Sequence, residues 1–260
     1  MNILDKITAH KRLEIIAKSE ALPIAMLKQS SYFHRSCYPF AEAVGSSKTG
    51  IITEFKRRSP SKSVINNLNS VTQVIPAYVQ AGATAISVLT DTAFFGGSLD
   101  DMIQARKLAS IPILRKDFIV DSYQIYEAKA YGADAILLIS ACLSANEIHE
   151  FSTLAKQLGL DVLIEIHNED ELERSILETI DLIGVNNRNL KSFDVSIETS
   201  KVLADKIPNR FVKISESGIN SISAINELRS YGFNGFLMGE HFMKTDNPGL
   251  AANNFINALA

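Results

Sequence analysis

From residue 50 onward, the chain alternates between short apolar runs and longer segments in which apolar residues recur with the period of an α-helix. The pattern predicts eight strands, at residues 50–55, 85–89, 112–116, 135–140, 162–167, 182–186, 212–215 and 235–238. Segments of helical period follow them, for example residues 122–131, 145–158 and 222–231. Strands and helices that alternate in this way are typical of a parallel sheet covered by helices.

Three short segments resemble one another, and each has a glycine between a predicted helix and the next strand. They are residues 81–86, 131–136 and 231–236. We expect each glycine to end its helix in a left-handed conformation. Repeated βα units with eight strands favour a closed barrel over an open sheet, and Gly96-Gly97 lacks the Gly-x-Gly-x-x-Gly spacing of dinucleotide-binding folds. The predicted fold class is therefore α/β, a (β/α)8 TIM barrel.

The first 45 residues depart from this alternation. Apolar residues at positions 3, 4, 7, 13 and 16 recur at helical spacing among charged neighbours, which predicts an amphipathic helix. A shorter helix is predicted at residues 23–29, and residues 30–50 are expected to be irregular. We therefore expect a single barrel domain, residues 1–260, in which residues 1–45 form an N-terminal helical extension.

The composition is that of an ordinary globular protein, with 46% hydrophobic and 21% charged residues among 260. A net charge of -3 argues against a nucleic-acid partner. No apolar run approaches the roughly 20 residues that span a bilayer, and the N-terminus lacks the apolar core of a secretory signal. Cys37 and Cys142 have no metal-site spacing, so we expect reduced thiols and a cytoplasmic location.

Polar side chains stand at the C-terminal ends of most predicted strands. Glu54 and Lys56 at the end of the first strand are two residues apart, so they point to the same face of an extended chain. Either could be an ordinary ion-pair member, but similar residues end six of the eight strands. The others are Lys116, Glu165, Asn186, Arg188, Glu216 and Ser217. Because the C-terminal ends of barrel strands meet at one mouth, these residues are predicted to form one active site.

Small residues follow the last two strands, where barrels of this type commonly bind phosphate through backbone N–H groups. Gly218 and Gly239 allow the close backbone approach that a phosphate needs. With Ser59 and the backbone N–H of Glu240, whose side chain must point away from the anion, they predict a phosphate site. We therefore expect a phosphorylated small molecule as substrate.

No metal site and no cofactor are expected. The five histidines are scattered without ligand spacing. Glu165 and His167 share one strand face, yet no third ligand is evident. The site is therefore expected to act through its own acids and bases.

Nine short motifs distinguish the chain further, and they lie at residues 3–7, 54–61, 89–91, 95–98, 116–119, 132–139, 165–167, 184–190 and 215–219. Several are generic singly, but their combination is highly specific. Together they resemble the indole-3-glycerol phosphate synthase family, in its monofunctional form, over nearly the whole chain. The resemblance implies conversion of 1-(2-carboxyphenylamino)-1-deoxyribulose 5-phosphate into indole-3-glycerol phosphate, carbon dioxide and water, a carboxy-lyase step of tryptophan biosynthesis.

The resemblance also implies roles for individual residues. Lys116 matches the family's general acid, which protonates the ketone oxygen during ring closure. Glu165 matches the base of the dehydration step. Lys56, partnered by Glu54, would hold the substrate carboxylate, and either of the two could be the second acid.

The remaining polar and aromatic residues would complete the site. Asn186 would bond a substrate hydroxyl or carbonyl, and Arg188 would orient Glu54 and the anthranilate end. Glu216 and Ser217 would complete the polar wall. Phe95 and Phe118 would pack the aromatic ring, and the phosphate would bind at Ser59, Gly218, Gly239 and Glu240.

Two other functions stay open at this point. One is a different phosphate-binding barrel enzyme, such as a phosphoribosyl isomerase, which would favour a cysteine or aspartate acid–base pair; neither Cys37 nor Cys142 falls at a predicted strand end. The other is a barrel that binds a metabolite without turnover, although such a protein should have lost Lys56, Lys116 or Glu165. A monomer or weak homodimer is expected, with neither a nucleic-acid nor a membrane partner.

Overall fold

Eight parallel strands close into a barrel in the computed structural model, which describes residues 3–189 and 192–260. Residues 1 and 2 of the predicted extension, and Leu190 of the motif at 184–190, lie outside the described residues. The strands are β1 (Ile51–Phe55), β2 (Ala85–Leu89), β3 (Ile113–Lys116), β4 (Ala135–Ile139), β5 (Asp161–Ile166), β6 (Leu182–Asn186), β7 (Val212–Glu216) and β8 (Gly235–Met238). Each strand pairs with the next, and β8 pairs with β1. The predicted (β/α)8 fold is confirmed.

Helices cover the outside of the barrel and precede it. Within the described residues they are α1 (Ile3–Ala21), α2 (Ile24–Leu27), α3 (Phe40–Ser46), α4 (Val71–Gln80), α5 (Leu99–Leu108), α6 (Tyr123–Ala130), α7 (Ala145–Gln157), α8 (Glu169–Glu173), α9 (Glu198–Ala204), α10 (Ile222–Ser230), α11 (Glu240–Met243) and α12 (Pro248–Leu259). A 3-10 turn, Ser140–Cys142, follows β4. No helix in the described ranges is long and apolar enough to cross a membrane.

The strands are apolar on both faces because both faces are buried. Successive side chains of a strand alternate, so Ile51 and Ile86 pack outward against the helices, whereas Ile52 and Leu114 fill the barrel interior. Inter-strand pairing fixes this division, since Ile52 is in register with Ala85 on one side and Leu237 on the other. The polar residues that end the strands are thereby placed above an apolar interior.

Glycines end several of the outer helices, as the repeat predicts. Gly82, Gly132 and Gly232 have φ values of 84°, 89° and 85°, the left-handed conformation that a side chain disfavours. Beside Gly82, the N–H of Ala83 donates to the carbonyl of Tyr78 and closes the last turn of α4. The chain then enters the next strand.

Residues 30–50 contain a helix where irregular structure is predicted, so that prediction is wrong. Helix α3 has two apolar anchors, Phe40 and Val44, which are 0% exposed and belong to the cluster inside the barrel. They stand one helical turn apart on a seven-residue helix, which is too short to show a periodic pattern. Helix α3 closes the end of the barrel opposite the strand C-termini, where Val44 lies against Gly235 at the start of β8.

Helix α1 is present as predicted, but its buried face differs from the apolar face read from the sequence. Leu13 and Ile16 are 70% and 58% exposed, whereas Lys11 is completely buried. Ile7 packs into the interior cluster of the barrel. The helix therefore faces the barrel through a row that includes a charged residue.

Candidate active site

A cavity of about 330 Å³ opens at the C-terminal ends of the strands. All fourteen residues predicted for the site line it: Glu54, Lys56, Ser59, Phe95, Lys116, Phe118, Glu165, Asn186, Arg188, Glu216, Ser217, Gly218, Gly239 and Glu240. Closure of the barrel brings them together, because residues far apart in the chain end adjacent strands. The cavity is also lined by residues that were not predicted from the sequence.

Lys116 lies at the centre of the charged groups in this cavity. Its Nζ is 3.1 Å from Oε2 of Glu165 and 3.0 Å from Oε2 of Glu216. Burial disfavours the charge on Lys116, but the carboxylates of Glu216, Glu165 and Glu54 outweigh it and raise the lysine pKa. The ammonium group is therefore held protonated in the cavity.

Glu216 is the least satisfied member of this group. It is 2% exposed, its Oε1 has no hydrogen-bond partner, and burial raises its pKa to about 7, with Glu165 adding to the shift against the opposing effect of Lys116. Gly184 on β6 makes room for it, because a Cβ there would collide with the Glu216 carboxylate. Because this oxygen is buried against Gly184 without a partner, the charged form of Glu216 is poorly stabilised.

Lys56 and Glu54 form a second ion pair at the mouth, with Lys56 Nζ 2.7 Å from Glu54 Oε1. The predicted common orientation of the two side chains is thus present. Ser87 donates to the other Glu54 oxygen at 3.3 Å. A Cβ at position 239 would collide with the Glu54 carboxylate, so Gly239 accommodates that side chain.

Glu165 is 3% exposed, accepts hydrogen bonds from two side chains and lies near a third. Besides Lys116, Asn186 Nδ2 donates to its Oε1 at 3.0 Å, and His167 Nε2 lies 3.5 Å from that same oxygen. Burial raises the pKa of Glu165, but Lys116 and His167 outweigh it and lower the pKa overall. The carboxylate is therefore ionised and ready to accept a proton.

One side of the cavity is lined by apolar side chains. The rings of Phe95 and Phe118 lie 5.8 Å apart at an interplanar angle of 40°. Ile3, Leu4 and Ile7 of helix α1 line the same cavity. The arrangement suits an aromatic ring, held between side chains with an apolar face.

The predicted phosphate-binding residues lie at another part of the cavity. Ser217 and Gly218 both have positive φ, 66° and 75°, and for a serine this is a strained conformation typical of functional turns. Ser59 contacts Ser61 through their hydroxyls at 3.2 Å. The side chain of Glu240 is paired with Lys62, so its carboxylate is neutralised by that lysine.

Two further predicted details concern Arg188 and Cys142. Arg188 lines the cavity, and its Nη1 donates to the carbonyl of Phe193 at 3.2 Å, while its effect on Glu54 stays a prediction. Cys142 is the last residue of the 3-10 turn Ser140–Cys142, three residues beyond the end of β4 at Ile139. It does not line the cavity, and burial raises its pKa to about 12, so it is not poised as an acid or base.

Several lining residues were not identified from the sequence. They are Ile3, Leu4 and Ile7 of helix α1, Phe193 and Val195 after β6, and His241 and Lys244 near the C-terminus. The apolar spacing of the first three predicts that they lie on a helix, but it does not predict that this helix lines the cavity. Among the described residues, no group of three His, Cys, Asp or Glu side chains could hold a metal ion.

Sequence comparisons identify a family that matches nearly the whole chain. The family model described as indole-3-glycerol phosphate synthase matches residues 4–255. A protein of that name from Bacteroides thetaiotaomicron is 46% identical over 258 residues, which cover 99% of both chains. Another, from a Polaromonas species, is 41% identical over 254 residues and 96% of both chains.

Solved structures with similar backbones confirm the fold alone. The 3-hexulose-6-phosphate synthase of Salmonella typhimurium aligns with a TM-score of 0.64 at 13% identity, over 81% of this chain and 98% of that one. A mutant tryptophan synthase α-subunit from Pyrococcus furiosus aligns with a TM-score of 0.61 at 15% identity, over 82% and 97% of the two chains. At such low identity, the shared barrel says nothing about the reaction.

Proposed function

Because this chain belongs to the indole-3-glycerol phosphate synthase family, we propose a role in that reaction for each charged group of the cavity. The chain converts 1-(2-carboxyphenylamino)-1-deoxyribulose 5-phosphate to indole-3-glycerol phosphate in tryptophan biosynthesis. The reaction forms one carbon–carbon bond, then releases carbon dioxide and water. It needs an acid at the ketone oxygen and a base at the carbon that loses a proton.

Lys116 is the general acid. Ring closure occurs when the aromatic carbon that bears the carboxylate attacks the ketone, and the ketone oxygen then gains negative charge. An ammonium group donates a proton to this oxygen, and Lys116 is charged because Glu216, Glu165 and Glu54 surround it. The observation that carries the proposal is the position of Lys116 Nζ between two carboxylates inside the cavity.

Glu165 is the general base. Loss of carbon dioxide restores the aromatic ring, and the hydroxyl left on the former ketone carbon must then leave as water. Departure of this hydroxyl requires removal of a proton from the neighbouring carbon. Glu165 is ionised, 3% exposed and held in place by Asn186. Its side chain is therefore already oriented before the substrate binds, and little entropy is lost in placing it during the reaction.

The remaining residues orient the substrate. Lys56 binds the substrate carboxylate until it leaves as carbon dioxide, and it serves with Glu54 as the second acid. Phe95 and Phe118 hold the aromatic ring. The backbone of the turn at Ser217 and Gly218, with Ser59 and the N–H groups of Gly239 and Glu240, binds the phosphate.

The two steps can be separated by experiment. The substrate is supplied in the presence of EDTA, and both carbon dioxide and indole fluorescence are measured; the chain contains no tryptophan, so indole emission reports product. Lys116→Ala should release neither product, whereas Glu165→Gln should still release carbon dioxide while indole formation falls about 10²-fold or more.

The matched control is Lys156→Ala. Lys156 is also an ion-paired lysine, with Asp181 at 2.7 Å, but it lies on α7 outside the cavity. It should retain the wild-type rate of indole formation. The assigned roles are wrong if Lys116→Ala turns over substrate at the rate of Lys156→Ala, or if Glu165→Gln forms indole normally.

A further inference from the structure

Three consecutive residues of helix α1 contact the loops that follow β2 and β3. The ring of His10 lies 5.6 Å from the ring of Phe94, edge to face. Arg12 Nη1 donates to the carbonyl of Val120 at 3.0 Å. Between the two, Lys11 is 0% exposed and belongs to no step of the reaction described so far. These contacts attach α1 to both loops.

Lys11 meets one carboxylate on each loop. Its Nζ lies 2.9 Å from Asp91 Oδ2, two residues after β2, and 3.2 Å from Asp117 Oδ1, directly after β3. Glu14, on α1 itself, accepts from the same Nζ at 2.9 Å. Burial disfavours the charge of Lys11, but Asp117 and Asp91 outweigh it and raise the lysine pKa, so the side chain is an ammonium group. One buried cation therefore joins α1 to two strand ends.

The same two carboxylates hold the backbone of the two aromatic residues in the cavity. Asp91 Oδ1 accepts from the backbone N–H of Phe95 at 3.1 Å. Asp117 Oδ1 accepts from the backbone N–H of Phe118 at 2.8 Å. The ammonium of Lys11 is thus linked to each aromatic residue through a single carboxylate.

Helix α1 itself supplies further apolar side chains to this part of the cavity. Ile3, Leu4 and Ile7 line the cavity and pack in the same apolar cluster as the two aromatic rings. Ile7 stands four residues before Lys11, so the two side chains lie on one face of the helix. We call the two rings and these three apolar residues the aryl subsite.

We propose that Lys11 is a positioning residue for the aryl subsite, because it fixes the apolar residues of α1 relative to the rings of Phe95 and Phe118. It acts through Asp91 and Asp117, and it does not itself line the cavity. A subsite that is assembled before the substrate arrives loses little entropy on binding the aromatic ring. The inference rests on the placement of that ring at Phe95 and Phe118 in the proposed function.

The test uses two fragments of the substrate as competitive inhibitors of carbon dioxide release. Anthranilate represents the aromatic end, and glycerol 3-phosphate represents the phosphate end. Lys11→Met should raise the Ki of anthranilate about tenfold or more, because the subsite must then be ordered on binding. The Ki of glycerol 3-phosphate should stay the same, since the predicted phosphate residues lie mainly after β7 and β8. KM should rise more than kcat falls.

The matched control is Lys18→Ala. Lys18 is another ion-paired lysine of α1, with Glu14 at 2.7 Å and Glu127 at 3.8 Å as its described partners. It should leave both Ki values unchanged. If circular dichroism shows that Lys11→Met does not fold, Asp91→Asn decides the question. That variant keeps an oxygen for the N–H of Phe95 but removes the charge that meets Lys11, and it should produce the same selective change.

An unchanged Ki for anthranilate in the folded variant, or a rise no larger than that for glycerol 3-phosphate, would overturn the role of Lys11. Phe95→Ala separates this inference from the proposed function. If Phe95→Ala leaves the Ki of anthranilate unchanged, the placement of the aromatic ring fails. If Phe95→Ala raises that Ki and Lys11→Met does not, only the role of Lys11 fails.

Discussion

Arg115 and Lys116 are consecutive residues of β3, yet their side chains enter two charged clusters of different character. Lys116 points into the mouth cluster, which we define as Glu54, Lys56, Lys116, Glu165 and Glu216. Arg115 points out of the barrel into the wall cluster, which comprises Lys11, Asp91, Arg115, Asp117 and Glu127. Both clusters combine two cations with three carboxylates, and both are largely buried.

The wall cluster is organised by hydrogen bonds from Arg115, and its other cation, Lys11, is paired with Asp91 Oδ2 at 2.9 Å. The guanidinium of Arg115 donates to Thr90 at 3.1 Å, to the carbonyl of Gln124 at 2.8 Å, to Asp117 at 3.1 Å and to Glu127 at 2.6 Å. Each of its three nitrogens has a partner. Lys11 of α1 joins the same cluster through Asp117 at 3.2 Å.

The mouth cluster is left incomplete. Glu216 has an oxygen without a partner and a pKa of about 7, and the ammonium of Lys116 meets its carboxylates in an open cavity. Satisfied buried charges hold elements together, whereas unsatisfied ones cost stability and remain able to react. The two faces of a single strand therefore separate folding from chemistry.

Lys116→Arg should have the largest effect, about 10²–10⁴-fold on kcat. Arginine keeps the positive charge, but its guanidinium does not give up a proton at working pH. The measurement is the steady-state rate of indole formation, with circular dichroism to verify folding. A rate within a few-fold of wild type would show that the charge alone is sufficient at this position.

Arg115→Lys, the reciprocal substitution, should lower the free energy of unfolding by about 2–4 kcal/mol, because one ammonium cannot replace four hydrogen bonds to buried groups. The kcat of the folded fraction should be unchanged. Urea denaturation measures the loss. The control is Arg12→Lys, at a pair with Glu147 in which the Arg12 side chain is 51% exposed, where less than about 1 kcal/mol is expected.

Glu216→Gln should alter how stability depends on pH. The folded pKa of Glu216 is about 7, above its ordinary pKa of 4.5, so its contribution to stability is fully present below pH 4.5 and is lost as pH rises through 7. A shift of this size corresponds to about 3 kcal/mol. The advantage of the wild type over Glu216→Gln should therefore shrink by about 2–3 kcal/mol between pH 5 and pH 8.

Thermal or urea unfolding at several pH values checks this prediction. Parallel stability curves for the two proteins would mean that Glu216 is ionised throughout the range. Such a result would remove the main contrast between the mouth cluster and the wall cluster.

Asn186→Ala should have the smallest effect, about a tenfold fall in kcat, because Glu165 loses one hydrogen bond but keeps Lys116. Its neighbour provides the matched control. Asn187 is 2% exposed and faces outward, where it donates to Ser215 at 2.9 Å. Asn187→Ala should lower the unfolding free energy without changing kcat, and a larger loss of kcat in Asn187→Ala than in Asn186→Ala would contradict the division between the two faces.

The sequence predicts the barrel and the polar residues of its mouth because both depend on local pattern. Strand–helix alternation places Glu54 and Lys116 at strand ends, and the barrel geometry then brings strand ends together. To predict that these residues meet at the mouth, it is not necessary to know which residues far apart in the sequence are in contact.

What could not be predicted depends on long-range contacts. Nothing in the sequence of α1 indicates that Lys11 is buried against Asp91 and Asp117, since a lysine among charged residues is usually solvated. Likewise, the space that Gly184 leaves for Glu216 exists only where β6 and β7 are in register. Side chains alternate along a strand, so Arg115 and Lys116 must point to opposite faces of β3. Which of the two points into the barrel is known only from the closed barrel.

The pairing of β8 with β1 also governs what happens while the chain is being made. Strand β8 is the last of the eight to leave the ribosome, and at typical rates of synthesis it follows β1 by about ten to forty seconds. Throughout that interval β1 has an unpaired edge, which can pair with another chain. Slow translation or delayed release of the last strand therefore favours aggregation, and brief protection of that edge by a chaperone would favour the folded barrel.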